Sequence, residues 1–290
     1  MRVRFWGVRG ALAATGPEAL GVGGNTPCVE VRDARGALLV LDAGIGLYWL
    51  GRSLLAGPHG RGRGKVTLAL SHTHWDHIQG FPFFVPVFIP GNEVRVWGGG
   101  AAHIEELLEG QLNPTYSPLA SLTNLGADVQ AKQLEDRQEL RVGGLRVRHA
   151  ALSAGTDRVI GFRVEAGERS LCYVPRIAHP ASGVDPAFLE LCRGTDLLVH
   201  EAFYTAEELA RGGRGLGGLG APSQTAHATY EKALEAALAA GARRLLFFYH
   251  HPDRDDAALE AQVTAARARV REVGAALEVD AAREGIELQL

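Results

Sequence analysis

The chain has 290 residues, 46% hydrophobic and 22% charged, with a formal net charge of −3 from 30 basic and 33 acidic side chains. This is the composition of a globular chain able to bury a sizeable core, and it excludes a disordered or fibrous polypeptide. The small negative balance draws the chain neither to nucleic acid nor to a membrane surface, and no apolar run reaches the roughly 18 residues of a membrane span.

In chain order, Val3 to Trp6, Cys28 to Arg32 and Ala37 to Leu41 read as strands, with a tight glycine turn over Gly21 to Asn25. Ile45 to Leu55 reads as a short amphipathic helix, and Val66 to Leu70 as a buried strand. Phe81 to Ile89 is aromatic and punctuated by proline, too irregular for a helix. Ala102 to Leu108 reads as a helix and Glu139 to His149 as an alternating strand pair. In the second half, strands are expected at Gly161 to Val164, Leu171 to Val174, Leu197 to His200 and Leu245 to Tyr249. Helices are expected at Pro186 to Cys192, Thr205 to Arg211, Thr229 to Ala240 and Asp256 to Val273. Both halves run strands first and helices after, which predicts two packed sheets with helices outside, in one α/β domain over residues 1–290. The glycine-rich run Arg211 to Gly220 reads as a surface loop, with a lid over a site as the sharper alternative. Cys28, Cys172 and Cys192 are scattered and odd in number, which predicts buried free thiols and a cytoplasmic, reducing setting.

The densest chemistry lies in Ser71-His72-Thr73-His74-Trp75-Asp76-His77, at the end of the apolar strand. Neutral imidazole and carboxylate are the ligands of zinc and similar ions. His72 and His74, two apart in extended chain, can point toward one ion. Asp76 and His77, where the chain turns, can face a second. The spacing suits a pair of metals roughly 3.5–4 Å apart, an arrangement that activates water for hydrolysis.

With these pieces the chain resembles the metallo-β-lactamase-fold hydrolases, in the branch of ribonuclease Z-like and cyclic-nucleotide phosphodiesterase-like enzymes. FWGVRG (Phe5 to Gly10), GGNTPC (Gly23 to Cys28), LDAG (Leu41 to Gly44), SHTHWDHIQGFPFF (Ser71 to Phe84), HEAFY (His200 to Tyr204), His227 with Thr229, and YHHP (Tyr249 to Pro252) carry the resemblance. It implies a four-layer αββα sandwich with the metals at one edge of the sheets. It implies that Asp42 orients the metal loop, and that His250, in preference to His251, joins Asp76 and His77 on the second metal. It also implies that Glu201 and His227 form a carboxylate–imidazole pair that shuttles a proton, with Asp76 in the catalytic centre.

Two motifs depart from that pattern. Where the family has a histidine shortly before Gly161, this chain has Ala154 and Gly155, with His149 nearby as a candidate replacement ligand. Where the family has a metal-bridging aspartate, this chain has Arg176, with His179 three residues on as a second candidate. Arginine cannot ligate a metal, but it can hold a phosphate or carboxylate. The expected cofactor is one or two zinc ions, with manganese or iron as alternatives.

The first functional reading is therefore a metal-dependent hydrolase of phosphodiester bonds in a small anionic substrate, with an ester or lactone open. The second is a degenerate metal-fold protein that binds an anionic ligand without turnover. A third is a single-iron oxygenase, as some members of this fold are. The charge argues against nucleic acid and membranes as partners, and a homo-oligomer is left open.

Overall fold

The computed structural model describes residues 1–99, 103–113, 115, 125–135, 138–155, 157–211 and 227–290. One sheet is built from β1 (Arg2–Gly7), β2 (Cys28–Arg32), β3 (Leu38–Leu41), β4 (Lys65–Leu70), β5 (Glu93–Gly98), β6 (Asp128–Gln133) and, from the far end of the chain, β14 (Glu287–Gln289). Its spatial order is β14–β1–β2–β3–β4–β5–β6. The other is built from β7 (Leu140–Val142), β8 (Leu145–Ala154), β9 (Asp157–Ala166), β10 (Arg169–Val174), β11 (Leu197–Glu201), β12 (Arg244–Phe248) and β13 (Glu278–Ala281), in the order β13–β12–β11–β10–β9–β8–β7. Each sheet is antiparallel at one end and parallel at the other. β3 to β6 run parallel in the first, and β10 to β13 in the second.

Strand alternation explains the layering. Along β3, Leu39 and Leu41 join Phe162, Val164 and Tyr173 in the core between the sheets. Leu38 and Val40 face the other way, joining Leu47 and Leu50 of α1 (Gly46–Leu54) in a second core. A strand buried on both faces reads as a continuous apolar run, which is why LLVL carries no alternation. On the outside of the second sheet lie α4 (Pro186–Cys192), α6 (Tyr230–Ala240) and α7 (Asp256–Glu272). Asp185, Thr229 and Asp255 cap these helices by accepting from the backbone N–H three residues on. Helix α2 (Trp75–Ile78) is a single turn after β4; α3 (Ile104–Gln111) and α5 (Ala206–Ala210) complete the set. The result is the expected αββα sandwich.

Among the expected elements, Cys28–Arg32 and Pro186–Cys192 fall on their predicted bounds and most others within a few residues. Phe81 to Ile89 forms short 3-10 turns. The start of the expected 102–108 helix and most of the glycine-rich run 211–220 lie outside the described residues. The three cysteines are buried free thiols. Among the described residues, no helix is long and apolar enough to cross a membrane.

The parallel strands place the site. β3 and β4 end at Leu41 and Leu70, so the segments carrying Asp42 and Ser71–His77 leave the same edge of the first sheet. β10, β11 and β12 end at Val174, Glu201 and Phe248, delivering Arg176, Glu201 and Tyr249 to an edge of the second. Ile160 N–H on β9 donates to Ser71 O at 2.7 Å and ties the two edges together, while Ala178 N–H donates to Ser153 O at 2.7 Å and fixes the segment after β10 to β8 of the same sheet. The carboxyl ends of parallel strands are the usual place for a ligand.

Candidate ligand pocket

Asp42 is the buried anchor of the edge. Its backbone sits in the left-handed region (φ 61°), a conformation that aspartate tolerates better than most residues. One carboxylate oxygen accepts from Ser71 N–H at 2.7 Å. The other accepts from Ser71 Oγ at 2.8 Å, His77 Nδ1 at 2.7 Å and Tyr173 Oη at 2.7 Å. These bonds fix the tautomers around it. His77 donates from Nδ1 to Asp42, which leaves Nε2 turned toward the interior of the cluster. Ser71 Oγ, having given its proton to Asp42, accepts from His72 Nδ1 at 3.0 Å, which leaves His72 Nε2 as a lone pair.

The rings of His72 and His77 lie 4.0 Å apart between centroids, and those of His72 and His74 lie 4.7 Å apart. Burial and then the neighbouring His77, His74 and Arg176 push His72 well below its ordinary pKa, so it is neutral. Burial also opposes charge on His77, but Asp76 and Asp42 outweigh it and raise this group. His72 Nε2 and His77 Nε2 are buried without a hydrogen-bond partner, although His77 Nε2 lies 3.3 Å from Asp76 Oδ2.

Such orphaned imidazole nitrogens suit a metal, and the fold implies one. The remaining donors do not complete it. Arg176, 3% exposed, donates from Nη1 to His74 Nδ1 at 2.9 Å. Tyr249 donates to Asp76 Oδ2 at 2.6 Å, with its ring stacked on His77 at 5.2 Å. Burial and the adjacent Asp76 push the Tyr249 phenol well above its ordinary range, so it remains a donor. Ala154, fully buried at the end of β8, offers only a methyl group. Among the described residues, no group of three or more His, Cys, Asp or Glu side chains is arranged to hold a metal. The residues present therefore do not fit a two-metal centre.

The Glu201–His227 pair expected from the sequence is formed. Strand parity sends Glu201 to the pocket side of β11 and His200 to the helix side, where it meets Phe188 of α4. His227 Nδ1 donates to Glu201 Oε1, while Glu201 Oε2 accepts from Ile177 N–H at 2.9 Å and Ala228 N–H at 3.3 Å. One carboxylate thus orients the imidazole and pins the backbone beside Arg176. His227 stacks on Phe203 at 4.5 Å.

Three expectations need correction. His250 does not join Asp76 and His77. Its Nε2 faces Ala282 O at 3.0 Å, and the charges that act on it are those of Arg9, Arg254 and Arg283. Tyr249, with left-handed backbone (φ 60°), takes the place beside Asp76 instead. His179 is not a replacement ligand, because it is committed to His200. His200 Nδ1 faces Glu201 O at 2.6 Å, Asp185 N–H donates to His179 Nδ1 at 3.2 Å, and the two Nε2 atoms meet at 3.1 Å. The pattern is self-consistent with two neutral rings, His179 donating to His200. Finally, His149 is buried on β8 beside Phe162, with ring centroids 6.4 Å apart, on the strand face shared with the core residues Leu145 and Val147. Sequence reasoning missed Tyr249, Tyr173 and Ser71. Ser71 was within reach as the first residue after β4, whereas the tyrosines show their role only through contacts across the sandwich.

A large cavity of ≈ 1270 Å³ opens at the opposite end of β3, β4 and β5, with Arg32, Lys65, Arg95, Arg141 and Trp97 among its walls. It contains none of the site residues Asp42, Ser71 to His77, Arg176, Glu201, His227 or Tyr249, and the edge chemistry locates the site better than cavity size does.

A family model described as a beta-lactamase superfamily domain matches residues 39–251. A UPF0282 protein from Pyrobaculum arsenaticum is 29% identical over 211 residues, which covers 63% of this chain and 66% of the relative, just short of two thirds of its length. Among solved structures, the metallo-beta-lactamase fold protein YhfI from Bacillus subtilis superposes with a TM-score of 0.68 and 18% identity, covering 99% of both chains. A diphosphatase from the PhnP family gives a TM-score of 0.66 and 16% identity, covering 100% of this chain and 97% of that one. At these identities the structural likeness speaks for the fold.

Proposed function

The chain belongs to the beta-lactamase superfamily, and from that membership we propose that it binds a small anionic ligand of the phosphoester class at the His72–Arg176 pocket, without two-metal hydrolysis. The observation that carries this reading is Arg176. Its guanidinium, cationic at any ordinary pH, is buried against His74 at the position where the family pattern calls for a metal-bridging carboxylate. A guanidinium fork matches phosphate oxygens geometrically. The Glu201–His227 pair supplies a held imidazole whose Nε2 is left to meet the ligand. A diphosphatase among the structural neighbours supports phosphoester chemistry as the ligand class.

Calorimetric titration of the chelator-treated protein with inorganic phosphate and with a 3′,5′-cyclic nucleotide tests this reading. Saturable binding is expected for at least one of them. Arg176→Ala is expected to weaken it about 10- to 100-fold, the worth of one charge-assisted hydrogen bond of about 1.5–3 kcal/mol. No binding by the wild-type chain, or unchanged affinity in Arg176→Ala, contradicts it.

A second reading is a metal-dependent hydrolase of small phosphodiesters, and the orphaned His72 Nε2 and His77 Nε2 favour it. On this reading those two atoms and Asp76 would hold one zinc or manganese ion, which would supply an activated water. Multiple turnovers of bis(p-nitrophenyl) phosphate that require added metal would establish it; the first reading expects none.

A further inference from the structure

We propose that Arg176 and Tyr249 act together as a built-in substitute for metal, each engaging a donor atom that a metal would need, so that the chain excludes zinc through these two side chains. The arrangement at each is specific. Arg176 Nη1 donates to His74 Nδ1 at 2.9 Å, saturating that lone pair and placing a fixed positive charge within the cluster. Tyr249 Oη donates to Asp76 Oδ2 at 2.6 Å, drawing on a carboxylate oxygen that also lies 3.3 Å from His77 Nε2. A dication entering between His72 Nε2 and His77 Nε2 would be repelled by the fixed charge of Arg176, weakly screened in a buried site, and would find Asp76 Oδ2 already holding the neutral Tyr249 phenol.

Both groups are held in place by the fold. The backbone after Arg176 is pinned by Ile177 N–H on Glu201 and by Ala178 N–H on Ser153. Tyr249 is clamped between His77 and Phe203, its ring centroid 5.2 Å from the first and 5.6 Å from the second. Neither can swing aside without breaking buried contacts. The rest of the donor set is intact: His72 and His77 keep lone pairs buried and unpartnered, oriented through Ser71 and Asp42. Metal binding is therefore blocked at two defined positions and supported at the others.

The inference is tested by zinc titration, read by calorimetry and by elemental analysis after dialysis, on the wild-type chain and on the double variant Arg176→Asp/Tyr249→His. The variant removes the cation, frees Asp76, and adds a carboxylate and an imidazole. The wild-type chain is expected to retain no zinc after dialysis. The double variant is expected to gain affinity by more than the about 10–100-fold that one supporting residue is worth at a metal site. Adding His72→Ala to it is expected to remove the gain. Tight stoichiometric zinc on the wild-type chain overturns the proposal, and so does a folded double variant with no gain. If the double variant does not fold, Arg176→Met/Tyr249→Phe decides: this pair carries no side-chain donor and only unblocks the two donor atoms, so a measurable gain supports the proposal and no gain overturns it. The test reads metal donors and the phosphate titration reads the anion contact, so this inference and the functional reading can fail separately.

Discussion

Asp42→Ala is expected to cost the protein several kcal/mol of unfolding free energy. The substitution strands four buried donors: Ser71 N–H, Ser71 Oγ, His77 Nδ1 and Tyr173 Oη. A buried donor left without a partner costs about 1–3 kcal/mol, so the sum is on the order of 4 kcal/mol or more, a large share of a typical domain's stability. Asp42→Asn is expected to cost roughly half as much. Its carbonyl oxygen can still accept from Ser71 N–H, and the two hydroxyls can rotate to accept from the amide. Urea denaturation of the three proteins measures both effects. A loss below about 1 kcal/mol in Asp42→Ala would show that this hydrogen-bond set is not the anchor described. The same variant releases His77 and, through Ser71, His72, so ligand binding should fall with stability.

The second large effect is a loss of stability in mild acid, centred on His179 and His200. Burial, followed by the adjacent His179, holds His200 down at about 3. Burial, followed by Lys232, holds His179 at about 4. In the unfolded chain both return to an ordinary value near 6.5. Between these limits the unfolded state binds more protons than the folded one, so acid favours unfolding. Stability is full above about pH 6.5 and declines as pH falls toward 4 and then 3, by up to about 1.4 kcal/mol per pH unit for each ring. Replacing the pair with apolar residues, His179→Phe/His200→Leu, is expected to make the acid limb shallower by up to about 2.7 kcal/mol per pH unit. Other buried histidines, including His72, His250 and His251, will leave a residual slope. Melting temperatures recorded from pH 7.5 to 4.5 decide the matter, and an acid limb unchanged in the double variant would contradict it.

What was legible in the sequence is what is local. Cys28–Arg32 and Pro186–Cys192 declare themselves through β-branched residues in one case and an Asp-Pro helix start in the other. The His72–His77 cluster is compressed into six positions and follows a buried strand, so its convergence needs no tertiary knowledge. β5 alternates clearly (EVRVWG) and was open to the same reasoning, whereas β6 (DVQAKQ) is largely exposed and β13 and β14 are short edge strands. Their identity comes from pairing with strands far away in sequence, which alternation within a few residues does not carry.

The site divides in the same way. Arg176 was visible as a residue that breaks a pattern, but its partner His74 is 102 positions away and only the fold brings them together. Tyr249 was hidden by its neighbour. The run Tyr249-His250-His251 draws attention to its imidazoles, and strand parity alone would not predict that a left-handed residue after β12 turns the phenol onto Asp76 across 173 positions. His179 misled in the opposite sense. A histidine three residues from a missing ligand reads as a replacement, yet its ring serves a buried pair with His200 that orders the loop before α4.

The central claim is that a guanidinium stands in this pocket where a metal-bridging carboxylate is expected, and that it receives an anion. The most direct measurement is diffraction at the zinc absorption edge from crystals grown with both zinc and inorganic phosphate. The account predicts phosphate density on Arg176 and no anomalous peak between His72 Nε2 and His77 Nε2. One or two anomalous peaks at those nitrogens, with Arg176 displaced from His74, would contradict it and restore the metal-dependent hydrolase as the leading reading.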